Sequence, residues 1–331
     1  KTLSSQINKS VIIGSGPWGE TIGKTLSNNL KDVIIITRNL KSKKQIYYPS
    51  KSSKNKLRFS DDLKKSIPQA ELIIFAVPSH ALRENVKKIS PYISSKSLIL
   101  SATKGLEISS NKIATEVIFD ELKHIISKEK IGVMSGPNLS VEINEGKIAL
   151  TTIAFTEITN AKIVQNYFHS RIFRPYTSTD ILGVQYGGAL KNIIAIASGF
   201  LDDGNYGDNV KSSLIVRGLN EIKMIGMSKG GEEGTFYGLS GLGDLITTCY
   251  SKLSRNYTFG SLISDGYSID KAKKKIGQTI EGIDTTRSAY EIGLKNQLEI
   301  PIINSIHKVI HEKYSAKEVI NKLMSRDLKS E

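Results

Sequence analysis

Val11-Ile12-Ile13-Gly14-Ser15-Gly16-Pro17-Trp18-Gly19 decides the fold. A short apolar strand runs straight into three glycines spaced G-x-G-x-x-G. In that arrangement Gly14 permits the tight turn, Gly16 lets a pyrophosphate approach the backbone, and Gly19 lets the following helix close on the strand. A helix expected from Trp18 to Asn28 aims its free N–H groups at phosphate oxygens. Val33-Ile34-Ile35-Ile36 is the next strand. The strand–glycines–helix–strand context is what the glycine motif needs before it reads as a dinucleotide site.

Working outward, the end of the second strand normally carries an acid that binds the adenosine ribose. Here the residues are Thr37-Arg38-Asn39. Two readings of Arg38 stand: a surface arginine at a strand end, or a contact with adenine or a 2′-phosphate, which favours NADP or dual use. Lys41 to Lys56 reads as a solvated, basic, Ser-rich helix and loop. Further strands are expected at Leu57–Phe59, with Asp61 capping a helix after it, and at Leu72–Val77, Ser97–Ser101, Ile131–Met134, Ala149–Phe155 and Ile172–Arg174. Strands alternating with helices predict a doubly wound sheet reaching residue 178. Lys104 follows one strand end and Ser135-Gly136-Pro137-Asn138 another, with a helix starting near Asn138; ligands of open parallel sheets bind at such ends. A plain loop lysine is the other reading of Lys104.

After Asp180, a candidate N-cap, the pattern turns helical. Helices are expected near Lys211–Met227, Leu242–Thr248, Tyr257–Asp265, Ile269–Lys275, Thr285–Leu294, Ile302–Glu312 and Ser315–Met324. The fold class is therefore α/β: a Rossmann-like dinucleotide-binding domain over residues 1–179, then an all-helical substrate-binding and catalytic domain over residues 180–331.

Gly187 to Gly199 is small and apolar except for Lys191 and Asn192 at its middle. A cation in such surroundings needs an anion or loses its proton. Either Lys191 meets an anionic substrate in a cleft, or it snorkels from an ordinary packed helix. Asp244 lies after three glycines and among leucines, in Gly238-Leu239-Ser240-Gly241-Leu242-Gly243-Asp244-Leu245. It is a partner for Lys191 or a helix N-cap. Ser254-Arg255-Asn256 offers a hydroxyl, a guanidinium and an amide at a helix start, which suits a phosphate; a Ser cap beside an exposed Arg is the alternative. Glu281 is a weaker candidate for accepting a hydrogen bond from a cofactor hydroxyl or amide.

The composition limits the partners. With 46 Lys+Arg against 32 Asp+Glu, the 331-residue chain carries +14. No arginine-rich arm, zinc spacing or stacked aromatic pattern supports nucleic acid, and small anionic ligands explain the sign equally well. Cys249 is the single cysteine, so no intrachain disulfide forms; a reducing, cytoplasmic setting fits, and no membrane-spanning run or signal-peptide core is seen. His307 and His311 have helical i, i+4 spacing without a third ligand nearby, so no metal is expected and both read as surface residues.

Taken together the motifs are recognisable. They are the glycine loop, Phe75-Ala76-Val77-Pro78-Ser79, Lys104-Gly105-Leu106-Glu107, Ser135-Gly136-Pro137-Asn138, Gly188-Ala189-Leu190-Lys191-Asn192, Gly241-Leu242-Gly243-Asp244-Leu245, Ser254-Arg255-Asn256 and Glu281-Gly282. In these the chain resembles the bacterial-type NAD(P)-dependent glycerol-3-phosphate dehydrogenases, from Gly14 to Pro301. The resemblance implies reversible hydride transfer that reduces dihydroxyacetone phosphate to sn-glycerol 3-phosphate for glycerophospholipid synthesis. It implies that Lys191 is the catalytic proton donor and acceptor, and that Lys104, Gly136, Asn138, Asp244, Ser254, Arg255 and Asn256 surround the substrate. It also implies cofactor contacts from Pro17, Trp18, Arg38, Lys104, Ser140, Arg255, Thr279 and Glu281. NAD or NADP is the implied cofactor, Arg38 leaning the choice toward NADPH, and likeness alone raises a homodimer. Glu20, Asn138, Ser140 and Thr279 depart from the family's usual residues. The competing expectations are a related hydroxy-acid dehydrogenase, which has less use for Ser254-Arg255-Asn256, and a non-catalytic dinucleotide sensor.

Overall fold

The computed structural model describes residues 7–42, 56–202 and 206–327. It divides into two compact units, Lys1–Lys104 with Ile113–Val184, and Gly105–Lys112 with Gln185–Glu331. Most of the basic segment from Lys41 to Lys56 lies outside the described residues.

The first unit holds strands β1 (Lys9–Ile13), β2 (Asp32–Ile36), β3 (Lys56–Ser60), β4 (Leu72–Phe75), β5 (Leu98–Ser101), β6 (Ile131–Ser135), β7 (Ala149–Ala154) and β8 (Phe173–Ser178). They form one sheet in the order β3-β2-β1-β4-β5-β6-β7-β8. The helices are α1 (Pro17–Ser27), α2 (Leu63–Ser66), α3 (Ser79–Ile89), α4 (Ala114–Leu122), α5 (Ser140–Asn144) and α6 (Ile158–Phe168). Strands covered on both faces read as unbroken apolar runs. Their side chains still alternate: Ile12, Ile35 and Ile74 pack with Ile22 and Leu26, whereas Val11, Ile13, Ile34, Ile73 and Phe75 pack with Leu82, Val86 and Val117.

Chain order reverses between β1 and β4, which pair in parallel. That switch point is where doubly wound sheets bind ligands. Pairing is parallel from β3 across to β6, then β7 runs antiparallel to β6 and parallel to β8. Pro175 sits on the edge strand β8, where its missing N–H discourages a further strand.

Three local expectations shift. Asp62 rather than Asp61 caps α2, accepting from the Lys65 N–H at 3.1 Å. The helix after β6 begins at Ser140, with Leu139 as N-cap, because Asn138 turns its amide to the Leu150 carbonyl instead. The last strand runs on to Ser178, pairing along the whole of β7.

The long helix α7 (Ile181–Phe200) follows Asp180, whose carboxylate accepts from the Gly183 N–H at 2.8 Å, as an N-cap does. The remaining helices are α8 (Gly207–Ser228), α9 (Glu233–Phe236), α10 (Asp244–Tyr250), α11 (Arg255–Ser264), α12 (Ile269–Ile276), α13 (Glu281–Lys295), α14 (Pro301–His311) and α15 (Ala316–Met324). The helix expected at Leu242 is instead a π-helical turn over Leu239–Gly243 running into α10. Residues 185–200 are buried on every side, as befits a helix at the centre of its unit. Small residues make that possible. A Cβ on Gly199 would stand 2.2 Å from the Tyr257 carbonyl, and one on Gly260 2.0 Å from that of Ile196, so α7 and α11 meet backbone to backbone.

Glu221 on α8 caps α14: its two oxygens accept from the Ile302 and Ile303 N–H groups at 2.8 and 2.9 Å. Burial raises its carboxyl to about 7, against the lowering pull of those two N–H groups. The native state therefore holds a proton between about pH 4.5 and 7 that the unfolded chain has released, so this group's contribution falls as pH rises through that window, by up to about 3 kcal/mol. Glu221→Gln is expected to flatten the fall, read as urea midpoints at pH 5 and pH 8. Parallel pH profiles for the two proteins would refute it.

His307 and His311 are only partly exposed. His307 stacks on Tyr290 at 3.9 Å, and His311 is half-buried with its Nε2–H donating to the Ile283 carbonyl at 3.3 Å. Burial holds the His311 imidazole below its usual range, with the neighbouring His307 adding to that effect. Packing of α14 on α13 accounts for both placements. Among the described residues no helix is long and apolar enough to cross a membrane, and no group of three or more His, Cys, Asp or Glu side chains is placed to hold a metal ion.

Candidate active site

The glycine loop has the shape its sequence predicts. Gly14 has φ +117°, and a Cβ there would meet the Ala76 carbonyl at 2.4 Å; one on Gly19 would meet the Gly14 carbonyl at 2.0 Å. These two glycines serve the protein's own packing. Gly16 does not, since nothing lies within 4 Å of where its Cβ would stand. It serves as N-cap of α1 without a side chain, with Pro17 next, so the first-turn N–H groups have no side-chain cap. The indole Nε1–H of Trp18 is buried without a hydrogen-bond partner. An open face over Gly16, an uncapped helix start and an unpaired donor suit a dinucleotide phosphate bridge. At the end of β2, Ser15 Oγ donates to Thr37 Oγ1 at 2.9 Å, and Arg38 is exposed.

A second cluster in the same unit gathers residues from two strand ends. Lys104, after β5, donates to the Gly136 carbonyl at 2.9 Å. Asn138 Nδ2 donates to the Leu150 carbonyl, also at 2.9 Å. Thr103 Oγ1 donates to the Val77 carbonyl at 2.8 Å and so ties the end of β5 to that of β4. Ser140 is the first residue of α5 and is half-buried.

In the helical unit, Lys191 and Asp244 find each other across 53 residues of sequence. Lys191 is 6% and Asp244 1% exposed. The ammonium donates to Asp244 Oδ1 and to Thr248 Oγ1, the latter at 2.7 Å. Thr248 Oγ1 in turn donates to the Asp244 carbonyl at 2.6 Å. Asp244 is the first residue of α10 and Gly243 its N-cap, so the carboxylate is engaged with Lys191 rather than with capping. Thr248 was not singled out in the sequence. The available signal was its place four residues after Asp244, on the same face of one helix. Cys249 beside it is buried, and burial pushes its thiol up to about 12, so it is no thiolate nucleophile.

Ser254 caps α11, accepting from the Tyr257 N–H at 3.3 Å. Arg255 is exposed and donates to the Thr279 carbonyl at 2.9 Å. Asn256 is buried; its Oδ1 accepts from the Gly282 N–H and its Nδ2 donates to Asn192 Oδ1, both at 2.9 Å. Ser254, Arg255, Asn256, Thr279 and Glu281 are thereby drawn together around the starts of α11 and α13, and through Asn192 they adjoin Lys191. Glu281 is the first residue of α13, four residues earlier than the helix was expected to begin.

Residues 9–161 match the model of the NAD-dependent glycerol-3-phosphate dehydrogenase N-terminus, and residues 180–321 that of its C-terminus. The chain belongs to the NAD-dependent glycerol-3-phosphate dehydrogenase family. It is accordingly an oxidoreductase acting on a CH–OH group with NAD or NADP. It is 38% identical over 329 residues to the glycerol-3-phosphate dehydrogenase [NAD(P)+] of Fusobacterium nucleatum, covering 97% of both chains. It is likewise 38% identical over 334 residues to that of Clostridium botulinum, covering 98% of this chain and 99% of the relative. The crystal structure of the glycerol-3-phosphate dehydrogenase of Coxiella burnetii superposes with a TM-score of 0.88 at 30% identity, covering 97% of this chain and 99% of that one. Family membership answers both competing expectations, the hydroxy-acid enzyme and the sensor.

Proposed function

We propose that this dehydrogenase reduces dihydroxyacetone phosphate to sn-glycerol 3-phosphate, reversibly, for glycerophospholipid synthesis. The observation that carries the reading is the buried Lys191 ammonium held by Asp244 and Thr248. The bound nicotinamide supplies the hydride in reduction and takes it back in oxidation. Lys191 stabilises the oxygen that becomes negative at C2 and delivers a proton to it. Asp244 and Thr248 hold the ammonium in one orientation and keep it charged. Lys104 adds a second positive charge toward the substrate, with Gly136 and Asn138 beside it. Arg255, the Ser254 hydroxyl and the second N–H of Asn256 Nδ2 grip the phosphate, which fixes the carbonyl for attack.

For the cofactor, Gly16, Pro17 and Trp18 face the pyrophosphate, and Gly14 and Gly19 hold the turn that presents them. Arg38 takes the adenosine end, and Lys104, Ser140, Arg255, Thr279 and Glu281 complete its contacts. A cationic Arg38 in place of an acid favours NADPH. On this reading residues 1–179 bind the dinucleotide and residues 180–331 supply the substrate and catalytic groups. The enzyme works in the cytoplasm on a small-molecule substrate, with a homodimer as the expected assembly.

The deciding assay is loss of reduced-nicotinamide absorbance on adding dihydroxyacetone phosphate, with NADH and NADPH in turn; no loss with either rejects the proposal. Arg255→Ala is expected to raise the substrate KM by about 10- to 100-fold with a smaller change in kcat, the worth of hydrogen bonds to a charged group. An unchanged KM would remove Arg255 from the phosphate grip.

A further inference from the structure

The amide of Asn144 bonds to α1 at both ends. Its Nδ2 donates to Thr21 Oγ1 at 2.9 Å, and its Oδ1 accepts from the Lys24 ammonium at 3.3 Å. Thr21 Oγ1 donates in turn to the Pro17 carbonyl at 2.8 Å. Chemistry fixes every direction. An ammonium only donates, so it faces the oxygen of the amide. A carbonyl only accepts, so the one hydroxyl proton goes to Pro17, and Thr21 meets Asn144 as an acceptor. Thr21 is 1% exposed, whereas Asn144, the last residue of α5, is exposed. The two lie 123 residues apart in sequence, so the packing of α5 on α1 builds the contact.

A chain of donors therefore runs one way, from the Lys24 ammonium through the Asn144 amide and the Thr21 hydroxyl to the Pro17 carbonyl. That carbonyl belongs to the peptide group whose N–H is carried by Trp18. Resonance links the two ends of a peptide group, so a hydrogen bond accepted at the carbonyl makes the N–H a stronger donor, and successive bonds of such a chain polarise one another. Trp18 is the second residue of α1, so its N–H has no carbonyl one turn earlier to bond, and no side chain caps this helix start. The relay begins at a cation and ends at an N–H suited to an anion. We propose that Lys24, Asn144 and Thr21 are positioning residues for the dinucleotide: acting through Pro17, they align and strengthen the Trp18 N–H that donates to its pyrophosphate. The inference rests on the cofactor reading above and extends it to three residues outside the glycine loop.

The test reads binding directly. Calorimetry gives the NADPH dissociation constant, and the chain's single tryptophan, isotope-labelled at nitrogen, gives one backbone amide signal in magnetic resonance, that of Trp18. In the native enzyme this amide proton should move downfield when NADPH binds. Thr21→Val keeps the shape and removes the hydroxyl. It should weaken NADPH binding about two- to fivefold, the scale of cooperative strengthening in a hydrogen bond to a charged group, and move the bound-state Trp18 amide upfield. Thr21→Ser, which keeps the hydroxyl, should restore both. Asn144→Ala, at an exposed position, should shift both quantities in the same direction as Thr21→Val, and so should Lys24→Met. Neither should add to the loss in a Thr21→Val background, because their effects pass through that hydroxyl. Additive losses would overturn the inference, since a direct pull of the ammonium on the phosphates survives without Thr21. Weaker binding with an unmoved Trp18 amide would overturn it too and trace the loss to the packing of α5. If the native Trp18 amide does not respond to NADPH, the cofactor reading falls and the relay with it; if it responds identically in every variant, only the relay falls.

Discussion

Lys191→Ala is expected to lower kcat/KM for dihydroxyacetone phosphate by about 10⁴-fold or more and to change the NADPH dissociation constant by less than about threefold. Two effects combine at this residue. A positioned proton donor contributes about 10²- to 10⁴-fold, and a preorganised charge aimed at a developing oxyanion about 10²- to 10³-fold. Lys191 is not among the residues assigned to the dinucleotide, whose pyrophosphate is given to the loop from Gly14 to Gly19, so removing the ammonium should leave cofactor binding nearly intact. The substitution also has a structural cost. It leaves Asp244, 1% exposed, without its cation, and breaking a buried pair from one side costs about 3–5 kcal/mol. Adding Asp244→Asn should therefore recover part of the lost thermal stability and none of the activity. That combination separates a chemical role from a packing role. Near-normal turnover in Lys191→Ala, measured from nicotinamide absorbance, would end the proposal that this lysine moves the proton.

Gly14→Ala and Gly16→Val should fail in opposite ways. At Gly14 an alanine must adopt φ +117° with its Cβ 2.4 Å from the Ala76 carbonyl. Backbone strain alone is about 1–3 kcal/mol, and the collision adds to it. That variant is expected to melt several degrees lower. At Gly16 the backbone is extended, φ −75° and ψ 174°, and nothing stands within 4 Å of a Cβ. Valine there should leave stability within about 0.5 kcal/mol. Its side chain occupies the space through which a pyrophosphate must approach, so NADPH affinity should drop about 10²-fold or more. Melting curves give the first quantity. Quenching of Trp18, the chain's single tryptophan, gives the second. Tight NADPH binding by Gly16→Val would move the cofactor's phosphates away from this loop.

Much of the site could be read in the residues because it is local. The turn after β1 needs glycines at fixed positions, and the sequence displays them in order. Lys191 and Asp244 were each legible as a charge stranded among small apolar residues, and two such strays of opposite sign imply a pair even at long range. Thr248 carried no such mark, since a threonine on a helix is ordinary until a lysine arrives from another helix. The relay through Asn144 was equally hidden: only the packing of α5 on α1 brings it to Thr21, 123 residues away.

By itself the sequence determined the parallel sheet, the glycine turn, the change to helices after Asp180 and the residues able to carry charge, because each depends on periodicity or on the conformational needs of single residues. The tertiary structure alone decided that β7 reverses direction, since an apolar run is the same read either way. It alone placed Gly105–Lys112 with the helical unit, where Asn111 donates to Glu291 at 2.8 Å. It also made Glu221 a buried cap for a helix 80 residues further on. Those outcomes depend on which surfaces meet, and meeting is a property of the folded chain rather than of any segment of it.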